Sequence, residues 1–130
     1  MGSRVVVFGG RDYGDWATVK RVLDMINKDI CIDVIIEGGY RGADYMAGQW
    51  ASMNDVDDYI FHARWKVWGK SAGPIRNQRM IDVGKPHLAV AFPGATGTAD
   101  MTERVRTARI PLVEVAADGS VKGWPLPPPK

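Results

Sequence analysis

The chain has one cysteine, Cys31, in 130 residues. This excludes an internal disulfide and a cysteine-built zinc site, and it points to a reducing, cytoplasmic setting. Histidine is scarce as well. His62 and His87 stand far apart, neither has metal-ligand spacing to a partner, and no metal is expected. Long apolar runs are missing. Val5 to Phe8 is too short for the core of a signal peptide, and no stretch approaches the roughly 20 residues of a membrane-spanning helix, so a soluble protein without membrane contact is expected. Met1-Gly2 would open a myristoylation signal only with Ser or Thr at the sixth position, which is Val6. Neither charge sign dominates: 17 basic against 15 acidic residues leave +2, which makes a nucleic-acid partner unlikely. A G-x-S-x-G nucleophile elbow is also absent.

What remains is the composition of one ordinary domain, 45% hydrophobic and 25% charged, large enough to bury a core without crosslinks. Short β-branched runs alternate with segments of helical period. Residues 4–8, 33–37, 58–63, 87–92 and 111–115 read as strands, apolar on nearly every residue as parallel strands covered on both faces are. Val19, Val22, Leu23 and Ile26 form one helical stripe, Ala43, Ala47 and Trp50 a second, and Met101, Val105 and Ala108 another. A helix opening at Gly73-Pro74 fits between them, ended by Gly84-Lys85-Pro86. The pattern predicts an α/β fold of Rossmann-like, three-layer type, with a mostly parallel five-stranded sheet of order 3-2-1-4-5 and helices on both faces. Asp118-Gly119 signals a turn and a C-terminal edge hairpin. Residues 1–123 then form the domain, and 124–130 a proline-rich tail, either an interaction peptide or a loose terminus.

Three strands run into glycine: "VVVFGGRDYGD", "VIIEGGYRGAD" and "VAFPGATGTAD". In that strand order the first and fourth strands are neighbours at the switch point, where ligands of open α/β sheets bind. Glycine permits close backbone approach, and the helix that follows offers its N–H groups and positive dipole end to an anion such as phosphate. Thr96 and Thr98 supply hydroxyls, unless Thr98 simply caps the helix. Two familiar phosphate motifs do not match. Gly9, Gly10 and Gly14 break the G-x-G-x-x-G spacing, and Gly69-Lys70-Ser71 has Arg64 where a P-loop needs glycine. Arg76, Asn77 and Arg79 fall in the first turns of the third helix, where positive charge is unfavourable unless an anion, or a carboxylate such as Asp82, Asp44 or Glu37, sits opposite. Trp65 and Trp68 either stack a base or pack in the core.

"GGRDYGDW", "IIEGGYRGAD", "WGKSAGPIRNQRM" and "AFPGATGTADM", in this order, resemble the SLOG superfamily, in particular its YspA-like, cpYpsA-related branch. The resemblance implies a Rossmann-like fold and a nucleotide or nucleotide-derived ligand. The superfamily also holds the lonely-guy phosphoribohydrolases and the DNA-processing protein A group, which binds single-stranded DNA. Against the phosphoribohydrolase pattern P-G-G-x-G-T-x-x-E, this chain keeps Pro93, Gly94, Gly97 and Thr98 but has Ala95 for a glycine and Met101 for the glutamate. Upstream, Arg76 and Met80 match R-K-x-x-M.

The expected site therefore comprises Gly9, Gly10, Arg11 and Asp12 from the first loop, and Gly38, Gly39, Arg41, Gly42 and Asp44 from the second. Arg76, Asn77 and Arg79 join from the third helix, with Arg76 facing phosphate held by Pro93, Gly94, Thr96, Gly97 and Thr98. No cofactor is required beyond the bound ligand. The expected role is a sensor or ligand-sequestering protein. The alternatives are a nucleoside 5'-monophosphate phosphoribohydrolase, with Asp12, Asp44, Asp100 or Glu103 as the carboxylate, and a single-stranded nucleic-acid binder. Five tryptophans and six methionines leave apolar surface for a homo-oligomer, dimeric or higher.

Overall fold

The structure, a computed structural model, describes residues 2–125. Its elements run β1 (Ser3–Phe8), α1 (Trp16–Ile30), β2 (Ile32–Glu37), α2 (Ala43–Met53), β3 (Asp57–Ile60), α3 (Trp65–Trp68), a 3-10 turn (Gly69–Ser71), α4 (Ala72–Asp82), β4 (Leu88–Ala91), α5 (Thr96–Thr107), β5 (Leu112–Val115) and β6 (Val121–Lys122). Six strands form one sheet of order β3-β2-β1-β4-β5-β6. The pairs among β1 to β5 are parallel, and β6 returns antiparallel on β5. The expected order holds, and the edge hairpin adds the sixth strand.

Alternation along β1 divides the core. Val5 and Val7 face α1 and α2, packing with Val22, Leu23, Ile26 and Trp50, whereas Val6 and Phe8 face α4 and α5 through Met80, Met101 and Val105. Period-two side chains on a strand buried on both sides require this arrangement. Asp15 starts α1 by accepting from the Thr18 amide at 3.1 Å, as a helix N-cap does.

Three expectations need correction. The third strand ends at Ile60, not at residue 63, and it is an exposed edge rather than a strand covered on both faces. The third long helix begins at Ala72 and is preceded by α3, a single turn that buries no residue. Thr98 does not cap the fourth long helix, whose N-cap is Ala95 with no side-chain cap bond. Trp124, expected in the tail, packs partly buried on the core with α1 and α2; residues 126–130 of the tail lie outside the described residues.

Candidate functional site

The carboxyl ends of β1, β2 and β4 bring their loops to one edge of the sheet, and the loop backbones are bonded together. The Gly10 amide donates to Pro93 O at 2.8 Å, and the Ala43 amide donates to Gly10 O at 3.2 Å. The first loop is thus clamped between the fourth loop and the start of α2. The glycines make this clamp possible. A Cβ on Gly42 would lie 2.2 Å from Gly10 O, one on Gly10 would lie 2.9 Å from Pro93 O, and one on Gly94 would lie 2.7 Å from the Gly10 amide nitrogen. Most of the expected ligand glycines therefore let loops approach one another. Gly97 differs, because a Cβ there would meet nothing within 4 Å.

Gly97 sits in the first turn of α5, and residues 94–97 are exposed. The first backbone bond of this helix is Ala99 N–H to Ala95 O at 3.0 Å. Among the described residues, no side chain or carbonyl meets the amides of Thr96, Gly97 and Thr98. Orphan N–H groups and an aligned dipole facing open space form an anion-binding arrangement.

Arg76 is placed differently from the expectation. Its guanidinium lies on the second loop, donating from Nη1 to Gly38 O at 2.5 Å and to Phe61 O at 3.4 Å, with the Tyr40 ring 5.6 Å away. Burial lowers its pKa, opposed chiefly by the charge of Asp44. Asn77 is the residue of α4 that reaches α5, donating from Nδ2 to Asp100 at 3.0 Å and to Gly97 O at 3.4 Å. Arg79 is exposed, its guanidinium 5.8 Å from the Phe61 ring.

The candidate carboxylates separate clearly. Asp12 is exposed and paired with Arg41 at 3.1 Å, a bridge between the first and second loops. Asp100 is held by Arg104 at 2.8 Å; burial raises its pKa, but the bonds from Arg104 and Asn77 leave it below the usual value. Glu103 is exposed beside Arg106. Asp44 is buried in the first turn of α2, where burial pushes its pKa to about 6 against the opposing effects of Arg76 and of the Tyr40 and Gly38 amides. Met101 is 1% exposed and belongs to the core.

Two further acids, neither among the expected site residues, meet under α2. Glu37 closes β2 with 3% exposure, and its Oε1 accepts from the Gly39 amide at 2.6 Å. Asp58 of β3, two residues before the register partner of Glu37, has a buried Oδ1 without a partner. Gly48 of α2 covers both; a Cβ there would lie 2.8 Å from Asp58 Oδ2 and 3.0 Å from Glu37 Oε2. Burial pushes Glu37 up to about 8, with Asp58 and Asp44 adding to the rise and the Gly39 amide opposing it. Burial also raises Asp58, while Glu37 lowers it. Burial thus favours the protonated form of Glu37. From the sequence Glu37 stands out only as an acid ending an apolar run and as a carboxylate that could face the α4 arginines, and Asp58 is not singled out.

The sequence profile of the YspA, cpYpsA-related SLOG family matches residues 3–68. Gene 61 protein of Mycobacterium phage D29 is 33% identical over 118 residues, covering 85% of this chain and 94% of that protein. Among solved structures, DNA processing protein A of Streptococcus pneumoniae superposes with a TM-score of 0.70 at 17% identity, over 91% of this chain and 53% of its own, so this chain spans about half of it. UDP-GlcNAc 2-epimerase from Neisseria meningitidis, bound to UDP-GlcNAc, gives 0.56 at 16% identity, over 86% of this chain and 31% of the epimerase. At such identities the two structures share a fold.

Proposed function

The chain belongs to the YspA, cpYpsA-related SLOG family, and from that premise we propose that it binds a nucleotide or nucleotide-derived small molecule, as a sensor or sequestering protein. SLOG domains in general bind ligands of this class. The observation that carries the reading is the open, uncapped start of α5 beside the clamped first loop at the β1/β4 switch point. A phosphate there would accept from amides that have no protein partner among the described residues, at the place where open α/β sheets hold ligands. Gly97→Val tests it. Because its Cβ enters empty space, the variant should fold, and the branched side chain should block the anion. Calorimetric titration with nucleoside monophosphates should show binding lost in a variant of unchanged far-UV circular dichroism. Unchanged affinity would place the ligand elsewhere.

A second reading, hydrolysis of a nucleotide N-glycosidic bond, is favoured by one observation. Asp44, with its pKa near 6, is the candidate carboxylate best suited to donate and recover a proton at neutral pH. Release of free base from a nucleoside monophosphate, abolished by Asp44→Asn, would make the protein an enzyme. Binding without release leaves it a sensor.

A further inference from the structure

The segment between β3 and α4 takes no part in the clamped loops, yet it holds aromatic side chains in water. Neither α3 nor the 3-10 turn buries a residue, and Trp65 remains 45% exposed. Its ring is nevertheless held in place. A Cβ on Gly73 of α4 would lie 3.2 Å from Trp65 Cη2, so the indole rests on a helix position where only hydrogen leaves comfortable room. Tyr40 is its aromatic neighbour, with ring centres 6.1 Å apart and planes tilted by 52°. Arg76 continues the row 5.6 Å beyond Tyr40.

This row joins the cleft through α4. Arg76 Nε donates to Asn77 Oδ1 at 3.0 Å, and Asn77 Nδ2 reaches Gly97 O at 3.4 Å. One turn of α4 therefore touches both the aromatic row and the open start of α5. A helix start with unpartnered amides and an exposed, positioned indole are thus both attached to the first turns of α4. Indole surface left in water is unfavourable, and a flat apolar ring with its own π face is the natural cover for it.

We propose that Trp65, backed by Tyr40, is a nucleobase subsite that takes a purine. This rests on the nucleotide-binding reading above and adds where the base lies. A purine is chosen because its two fused rings cover an indole more fully than a single pyrimidine ring does. Arg76 is a positioning residue, holding Tyr40 and the Gly38 carbonyl in register.

The test is calorimetric titration of wild type, Trp65→Ala and Trp65→Phe with AMP, GMP, UMP and ribose 5-phosphate. Trp65 lies in a single turn with no fully buried residue, so both variants should fold with the wild-type circular dichroism, and Trp65→Phe should keep most of the packing on Gly73 and Tyr40. The expected result is that Trp65→Ala weakens AMP or GMP by about ten- to a hundred-fold and leaves ribose 5-phosphate within two-fold. Trp65→Phe should recover most of the loss, and UMP should bind wild type more weakly than the purines. Equal weakening of ribose 5-phosphate, or purine affinity unchanged by Trp65→Ala, overturns the subsite while nucleotide binding stands. UMP binding as tightly as the purines overturns the choice of base. Wild type that binds none of the four overturns the nucleotide reading itself, and the subsite falls with it.

Discussion

Glu37→Gln isolates the buried carboxyl pair. Glutamine keeps the shape of protonated glutamate: its oxygen can still accept from the Gly39 amide, and its NH2 can face Asp58. The native pKa of Glu37 is about 8 against an ordinary 4.5. The group is an acid whose folded pKa is raised, so between those values the native state holds more protons than the unfolded chain. Stability is therefore fully present below 4.5 and falls as pH rises toward 8. One unit corresponds to about 1.4 kcal/mol, so the fall attributable to Glu37 reaches at most about 5 kcal/mol. Asp44, raised to about 6 from 3.8, adds a decline of the same sign at lower pH, which the variant retains. The range from pH 6 to 8 thus reports Glu37. Urea denaturation of both proteins from pH 4.5 to 8.5 should give similar stabilities at the acid end and a variant more stable by a few kcal/mol at pH 8. Parallel curves between pH 6 and 8 would show that Glu37 is ionised in the native protein, and the reasoning from its burial would fail.

The remaining predictions concern the cleft and the surface. Arg76→Ala removes the donor to Gly38 O and the cation beside Asp44, so it should destabilise by roughly 1–3 kcal/mol, measured by urea denaturation; a variant of wild-type stability would refute the anchoring role. Ionisation of Asp44 near pH 6 adds negative charge beside the cleft, so cyclic AMP, whose single charge is constant in this range, should bind more weakly at pH 7.5 than at pH 5; Asp44→Asn should remove most of that dependence, and an unchanged profile in the variant would assign it to another group. Met53, Tyr59, Ile60, Val67 and Trp68 are exposed, Tyr59 and Ile60 on the edge strand β3. A homo-oligomer is accordingly expected, and light scattering that gives a 14.3 kDa particle at micromolar concentration would count against it.

The residues differ in how much of this they disclose. β1, β2 and β4 were legible because a strand covered on both faces is apolar at every position, as Val5 to Phe8 and Leu88 to Ala91 are. β3 was misread because Phe61 continues the apolar run, although its amide donates to Glu37 O at 2.8 Å as the chain leaves the sheet. α3 is too short for a helical period to register. The three glycine loops were found, but the partner of each glycine was not. Gly94 packs on Gly10, and Gly48 covers Asp58 and Glu37; those neighbours are distant in sequence, and a glycine admitting a ligand is spelled like one admitting another loop. Arg76 shows the same limit. Its position at the start of α4 was readable, but its rotation toward Gly38 rather than α5 depends on how α4 packs.

The difference between binder and catalyst reduces to where a carboxylate can stand. At the position where the phosphoribohydrolases have glutamate, Met101 is packed with Phe8, Met80 and Val105, so a charge introduced there would enter the core instead of the cleft and would be costly to keep ionised. Asp100 cannot replace it while Arg104 and Asn77 occupy its oxygens. The start of α5 is thus left with donors and no free acid, suited to holding an anion and not to protonating a leaving group. The acids whose pKa burial raises toward neutrality, Asp44 and Glu37, belong to α2 and β2 on the far side of the first loop. Any bond cleavage here would have to approach the ligand from the second loop, with Asp44 in the role that α5 has lost. A ligand whose phosphate lies on Gly97 and whose base lies on Trp65 would span that same gap, which makes Asp44 the residue whose replacement best separates binding from turnover.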